Sequence, residues 1–452
     1  MNELAKLNDP QNPMKEQSPI SRRQFLKGAS VAAGTVAAVQ FPSVVQAQAK
    51  QPMNAVIIGV GGRGSGAGGN FLEAGKDVGV DAKIVAVADI FPSQSRAAGA
   101  RFNVPDDKCF SGFEAYARAL EVPGVNYAVL ATPPGFRPSH FKACVEAGKN
   151  VFTEKPVAVD GPGARIMYEA GELAKKKGLK VAAGTQRRHE ANYNETIKRI
   201  QDGMIGDVVA LRAYWVNGGP IWHRGERGET TLEKQVSNWY HYIWLSGDHI
   251  TEQHVHNLDV CNWIMGGHPV RCWGQGSRQQ LGSKSGEIWD NFDVEFEYAN
   301  GARMFSYCGQ IKRNWASVSE AVHGTNGSAN PANTILSRSG KTLFRFREKF
   351  VSGYVQEHIN LINAILTDTE LNEAKNVTDS TLTSIMGREA AYSGSAVEWD
   401  AILNSKFAYG PEQVYKDSSK MQWGDFRTLL PPMPSAHDIF KDPPVVPVAA
   451  QA

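Results

Sequence analysis

The sequence predicts an α/β chain: a doubly wound parallel sheet first, then an α+β domain with a mainly antiparallel open sheet. Three observations predict it. An apolar β-branched run, Val56-Ile57-Ile58, breaks into Gly59-Val60-Gly61-Gly62-Arg63-Gly64. A second apolar run, Lys83-Ile84-Val85-Ala86-Val87-Ala88, ends in the acid Asp89, about 25 residues after Gly64. Strand and helix patterns alternate as far as Gly184, and β-type alternation takes over beyond about residue 205.

The glycine run has the chemistry of a dinucleotide site. Gly59 permits a tight turn, Gly61 and Gly62 let a pyrophosphate approach the backbone, and Gly64 lets the next helix pack on the strand. Arg63 lies within the same loop. The helix N-terminus offers unpaired N–H groups and a positive dipole end to phosphates. Asp89 closes the second strand, where a carboxylate accepts hydrogen bonds from a ribose 2′-OH and repels a 2′-phosphate. NAD is therefore expected over NADP, with Arg96 the nearest downstream cation able to soften the preference.

Further elements follow in order. Residues 113–121 read as a helix and 127–131 as a strand ending in Thr132-Pro133-Pro134. Residues 140–147 read as a helix, 150–153 as a strand ending in Glu154-Lys155-Pro156, 164–177 as a long helix and 180–183 as a last short strand. Ligands of such sheets gather at the carboxyl ends of the strands, where Thr132, Pro133, Glu154 and Lys155 fall. In the second half, residues 208–215, 293–298 and 302–307 alternate as strands, and Asn300-Gly301 joins the last two as a hairpin. The polar stretch 217–238, with Trp222, His223 and several arginines, reads equally as a loop over a site or as a solvated connection. The proline-rich end, 431–452, is expected to pack across a neighbour or hang free.

The N-terminus carries Ser21-Arg22-Arg23-Gln24-Phe25-Leu26-Lys27, then a small-residue apolar stretch from Gly28 to Val39, with Val45-Gln46-Ala47 suited to cleavage. That stretch is too short and too rich in Ala, Gly and Ser for a membrane span of about 20 apolar residues. It is similar to a twin-arginine signal, which implies residues 1–47 as signal peptide, passage through the twin-arginine translocon, and work in the periplasm. No stable membrane insertion is expected after cleavage. A net charge of +2 gives no reason to expect nucleic acid. Cys109, Cys144, Cys261, Cys272 and Cys308 are scattered, odd in number and without a CxxC, which argues against a disulfide framework.

The order of the glycine loop, Ala131-Thr132-Pro133, His140, Ala147-Gly148-Lys149, Glu154-Lys155-Pro156 and His256-Asn257-Leu258-Asp259 resembles the Gfo/Idh/MocA oxidoreductases. The resemblance implies an NAD(P)-binding Rossmann domain over 50–184, a substrate-binding α+β domain over 185–430, and the arm 431–452. It implies catalytic roles for Lys155, His256 and Asp259. An ammonium at Lys155 can stabilise a developing alkoxide, and His256 can take a hydroxyl proton. Asp259, three residues on and on the same helical face, can orient the sugar or the imidazole. Thr132, Pro133, His140, Glu154 and Gln186 are implied as cofactor contacts, and Arg188, Tyr193 and His254 as substrate contacts. The sequence departs from the family's Asp-x-Gly-x-His with Glu252-Gln253-His254-Val255-His256. His254 and His256 point about 200° apart on a continuous helix, so no metal site is expected.

The leading functional expectation is hydride transfer between tightly bound NAD(P) and a sugar or polyol, with the redox cycle closed on the bound cofactor. The alternative is an NAD-dependent glycoside hydrolase working by transient C3 oxidation, elimination and re-reduction. Retention of the Glu-Lys-Pro lysine favours the oxidoreductase. The intact Lys155, His256 and Asp259 set disfavours a non-catalytic sugar sensor. An open sheet in the second domain is a natural surface for a homo-oligomer.

Overall fold

A computed structural model describes residues 51–218, 223–282 and 286–441. The signal segment 1–47, Trp222 and the end of the arm at 442–452 lie outside the described residues.

The first half alternates β1 (Met53–Ile58), α1 (Gly62–Val78), β2 (Ala82–Asp89), α2 (Pro92–Phe102), β3 (Cys109–Ser111), α3 (Ala115–Leu120), β4 (Tyr127–Leu130), α4 (Arg137–Glu146), β5 (Asn150–Thr153), α5 (Gly161–Lys176) and β6 (Val181–Ala183). The strands form one parallel sheet in the order β3-β2-β1-β4-β5-β6. The order reverses between β1 and β4, which leaves a crevice at their carboxyl ends. Helices cover both faces, so β1 is buried on both: Val56 and Ile58 join one core cluster, Ala55 and Ile57 another. Helix α4 begins three residues before the predicted start, because Pro138 in its first turn sacrifices an N–H that has no intrahelical partner anyway.

The second half places α6 (Ala191–Gln201) before β7 (Val208–Val216), then α7 (Thr231–Ser237), α8 (Asp248–Glu252) and α9 (Val255–Met265). The remaining strands are β8 (Arg271–Ser277), β9 (Asn291–Glu297), β10 (Arg303–Gly309), β11 (Ser317–Gly324), β12 (Gly327–Asn330), β13 (Thr334–Ser337), β14 (Thr342–Arg345) and β15 (Val397–Glu398), with α10 (Gly353–Thr367) and α11 (Ala374–Ser393) before the last. The nine-stranded sheet runs β14-β13-β12-β11-β7-β10-β9-β8-β15, and its pairs are antiparallel except β7 with β10. The predicted hairpin is present: Gly301 takes φ +85°, and Glu297 faces Arg303 across β9 and β10. The inner face, with Leu211, Val294, Phe296 and Met304, joins the largest core. Helix α11 is buried nearly all round and touches β8, β9, α5 and α9.

Two segments return to the first sheet. Helix α10 packs on α1, and its Val355, Leu361 and Ile362 share a core with Ile57, Phe71 and Phe152. Residues on both sides of 184 therefore build the core behind the first sheet. The arm differs from expectation over its described part. Residues 431–441 fold back on their own chain: the Trp289 indole donates to the Pro432 carbonyl (2.8 Å), and the Ser435 N–H to Tyr392 (2.9 Å). A buried indole needs an acceptor, and a proline carbonyl supplies one. No helix among the described residues is long and apolar enough to cross a membrane.

Candidate cofactor and active site

The crevice at the carboxyl ends of β1 and β4 opens into a cleft of about 380 Å³, closed on its far side by the second half of the chain. The glycine loop forms its floor. A methyl group on Gly59 would lie 2.7 Å from the Thr132 nitrogen, and one on Gly64 would overlap the Gly59 carbonyl oxygen. Those contacts leave room for glycine alone and bring α1 onto β1. Gly61, Gly62 and Arg63 line the cleft at the N-terminus of α1. The Asp89 carboxylate lines it too, held by the N–H groups of Val60 and Phe91, each at 3.0 Å. Burial pushes this carboxyl above its usual range, and the two N–H bonds oppose the shift. A loop shaped for close backbone approach, with an anchored acid at the second strand end, fits a dinucleotide.

The other strand ends supply the walls. Thr132 Oγ bonds His140 Nδ1 (3.2 Å), whose Nε2 meets Ser418 Oγ (3.0 Å). Burial lowers the His140 pKa to about 3, so its imidazole is neutral. Pro133 and His140 also line the cleft. Arg63 reaches across to Glu154, Nε to Oε1 at 2.7 Å, and lies 4.9 Å above the Tyr354 ring. Next in sequence, Lys155 is buried and donates to the main-chain carbonyl of Glu252 (2.6 Å), with Glu252 Oε1 3.6 Å away. Burial raises the Glu252 carboxyl, and Lys155 and Arg137 draw it back.

His256 enters from the first turn of α9, stacked on Trp215 with ring centres 5.9 Å apart. Burial drives its pKa well below the usual value, and Lys155, Arg187 and His254 add to the effect. A neutral imidazole and an ammonium thus face one cleft beside the glycine loop. The pair can accept a hydroxyl proton and stabilise the oxygen that loses it.

Five predicted contacts sit elsewhere. Asp259 is buried away from the cleft, where Arg188 Nε grips both its oxygens (3.0 and 2.9 Å) and Ser380 Oγ donates at 2.8 Å. Asp259, expected to orient the sugar or the imidazole, and Arg188, expected as a substrate contact, satisfy each other. An unpaired carboxylate at that depth would be costly. Tyr193 donates to Glu320 (3.2 Å), which also takes Arg187 and Asn257, and lies in that interior network. His254 is fully buried against Ser306 Oγ (2.8 Å) and does not line the cleft that His256 lines. Gln186, in the turn after β6, does not line it either. Among the described residues, no group of three His, Cys, Asp or Glu is placed to hold a metal ion.

Other cleft residues went unread in the sequence. Arg137, Trp239, Tyr354 and Ser418 come from four separate segments, and Glu252 was noted only as a departure from a family pattern. The described part of the stretch 217–238 lies over the site, through Arg224, Arg227, Val236 and Ser237.

Comparisons with known proteins agree with this architecture. Residues 53–185 match an oxidoreductase family model, NAD-binding Rossmann fold, and 193–330 match the GFO/IDH/MocA C-terminal domain. Residues 19–39 match the twin-arginine translocation pathway signal sequence. The inositol 2-dehydrogenase of Burkholderia cenocepacia (strain HI2424) is 31% identical over 188 residues, 41% of this chain and 47% of that protein. The chain thus spans about half the length of that relative. The inositol 2-dehydrogenase of Rhizobium meliloti (strain 1021) is 22% identical over 301 residues, 64% of this chain and 82% of that protein. Two solved structures share the fold over 77% of this chain and 99% of theirs. They are the aldose-aldose oxidoreductase from Caulobacter crescentus complexed with glycerol (TM-score 0.61, 21% identity) and levoglucosan dehydrogenase with NADH and levoglucosan (0.63, 18%). The matched pair of domains, in the order and places that the two sheets occupy, shows that this chain belongs to the Gfo/Idh/MocA oxidoreductase family.

Proposed function

We propose that this protein is an exported NAD-dependent oxidoreductase that moves hydride between a tightly held nicotinamide and a CH–OH group of a sugar or polyol. The observation that carries the reading is that Lys155 and His256 line the cleft floored by Gly59, Gly61 and Gly64. A bound nicotinamide supplies the hydride acceptor and donor. Asp89 accepts from the adenosine ribose hydroxyl and so favours NAD over NADP. Lys155, held by Glu252, stabilises the developing alkoxide, and neutral His256 takes the hydroxyl proton. On reduction of a carbonyl the same groups return the proton. Trp215, stacked on His256, holds the plane of that imidazole.

The twin-arginine match supports export through that translocon to the periplasm, where no soluble NAD pool is evident. The cofactor must then stay bound between turnovers. The outer face of the second sheet is the surface we assign to homo-oligomer formation. Denaturing the purified protein and identifying the released nucleotide by mass spectrometry tests the reading. NAD(H) near one equivalent is expected, and absence of any nicotinamide nucleotide would overturn it. Changing Arg22 and Arg23 to Lys should hold the precursor in the cytoplasm, and normal periplasmic accumulation would contradict export.

A further inference from the structure

We infer that Phe91 and Phe113 form the slot for the adenine of the bound dinucleotide, and that Trp423 is the positioning residue that holds both rings. The inference rests on the dinucleotide reading above and names what keeps the adenosine half in place. Asp89 sets the location. A carboxylate at that strand end takes the adenosine ribose hydroxyl, so the adenine on the same ribose lies just beyond it. The cleft wall there is Ile90 and Phe91 after β2, with Gly112 and Phe113 after the neighbouring strand β3. Adenine presents two flat π-faces, and aromatic side chains are the surfaces on which bases stack.

Both rings are set before any ligand arrives. The Phe91 N–H donates to the Asp89 carboxylate (3.0 Å), so ring and ribose acceptor are held in one turn. Gly112 takes φ +101°, a conformation open to glycine, and turns the chain after β3 so that Phe113 faces the cleft. Trp423 then stacks on Phe91, with ring centres 6.0 Å and planes 19° apart, and tilts against Phe113 at 4.7 Å. The indole itself does not line the cleft, so it acts through these two rings. It is 36% exposed, which makes it a cover over the pair rather than part of a core.

The segment that carries Trp423 is fastened on both sides. Before it, Asp417 accepts from the Tyr116 hydroxyl (3.2 Å), and Ser418 Oγ meets His140 Nε2 (3.0 Å) and Ser139 Oγ (3.3 Å). After it, the Gly424 carbonyl accepts from Leu232 N–H (3.2 Å), and the Phe426 N–H donates to Thr231 Oγ (2.7 Å). The far end of the chain thus ties the adenosine side of the first sheet to α7. The contacts at 417 and 418 reach Tyr116 and His140, which line the same cleft.

The test uses the holoprotein loaded as NADH, with displacement followed by loss of bound-NADH fluorescence. Two competitors divide the dinucleotide: AMP carries the adenosine half, and oxidised nicotinamide mononucleotide carries the other. The readout is the ratio of their half-displacement concentrations, AMP over mononucleotide, which does not depend on how tightly NADH itself is held. That ratio should rise at least about fivefold in Trp423→Ala and at least about tenfold in Phe91→Ala, within the range for losing a base-stacking ring. Trp423→Phe keeps a ring over the pair and should restore most of the wild-type ratio. Should Trp423→Ala fail to fold, Trp423→Leu, which keeps apolar bulk without a ring, carries the same test. A general loosening of the fold weakens both halves alike. An unchanged ratio in the folded variants therefore overturns the slot and leaves the dinucleotide reading standing. A ratio raised in Phe91→Ala alone overturns the role of Trp423. A wild-type protein that holds no nicotinamide nucleotide overturns the dinucleotide reading itself, and the slot with it.

Discussion

Lys155, just beyond β5, donates from Nζ to the main-chain carbonyl of Glu252 at 2.6 Å, and this bond joins the first sheet to the helices that carry His256. The acceptor is backbone, so the tether survives replacement of the Glu252 carboxylate but not of the lysine. Lys155→Met should slow the chemical step by about 10²–10⁴, the range for losing a positioned acid–base group, and His256→Ala by a similar factor. Glu252→Gln should lose less, because Lys155 keeps its carbonyl partner. Cofactor content should stay near wild type in all three, and single-turnover rates check the ranking.

Asp259 yields a different expectation from the one its sequence position suggests. It is held by Arg188 and Ser380 in the interior, so its removal leaves Arg188 without its partner. Asp259→Ala should cost about 3–5 kcal/mol of stability, the range for breaking a buried ion pair. Denaturant titration measures it. Unchanged stability together with a raised KM would instead place Asp259 at the sugar.

The contrast shows what the sequence carried. That the glycine loop, Asp89, Thr132 and the Glu154-Lys155 pair line one cleft was legible, because each lies on a turn or strand end at the carboxyl edge of the first sheet. The pairing of Arg188 with Asp259 was not legible, because nothing local shows that residues 71 positions apart neutralise each other. Tyr354, Ser418 and Arg224 reach the cleft on segments that return from far along the chain. The return of α10 to the first sheet was hidden for the same reason: its apolar stripe says that it packs, not on what.

Asp89→Ala should weaken NAD and narrow its advantage over NADP, since it removes both the ribose acceptor and the repulsion of a 2′-phosphate. Some general weakening is also expected, because the carboxylate holds the Val60 and Phe91 N–H groups. Binding titrations with both nucleotides distinguish these effects. An unchanged preference would remove Asp89 from cofactor selection.

His358 gives a stability prediction remote from catalysis. Its ring lies 4.2 Å from that of Phe152, and its Nδ1 is 2.8 Å from the Tyr127 hydroxyl. Burial lowers its pKa to about 3, with Arg63 and His189 adding to the shift. Between the unfolded value near 6.5 and that folded value, the unfolded chain binds a proton that the folded one does not. Stability from this site is therefore lost as pH falls. Relative to His358→Gln, the wild type should lose about 2 kcal/mol between pH 7.5 and pH 5. Parallel stability curves for the two proteins would show that His358 titrates normally in the fold.

The most direct test is single-turnover reduction of the bound cofactor by a panel of aldoses, polyols and glycosides, in wild type, Lys155→Met and His256→Ala. A sugar or polyol should reduce the bound nicotinamide and leave it reduced until a second carbonyl compound arrives, with both variants slowed by about 10²–10⁴. Glycoside hydrolysis without lasting reduction, but with loss of deuterium from C2, would contradict the oxidoreductase account and establish a redox-cycling glycosidase. Full rate in both variants would contradict the placement of the chemistry at Lys155 and His256.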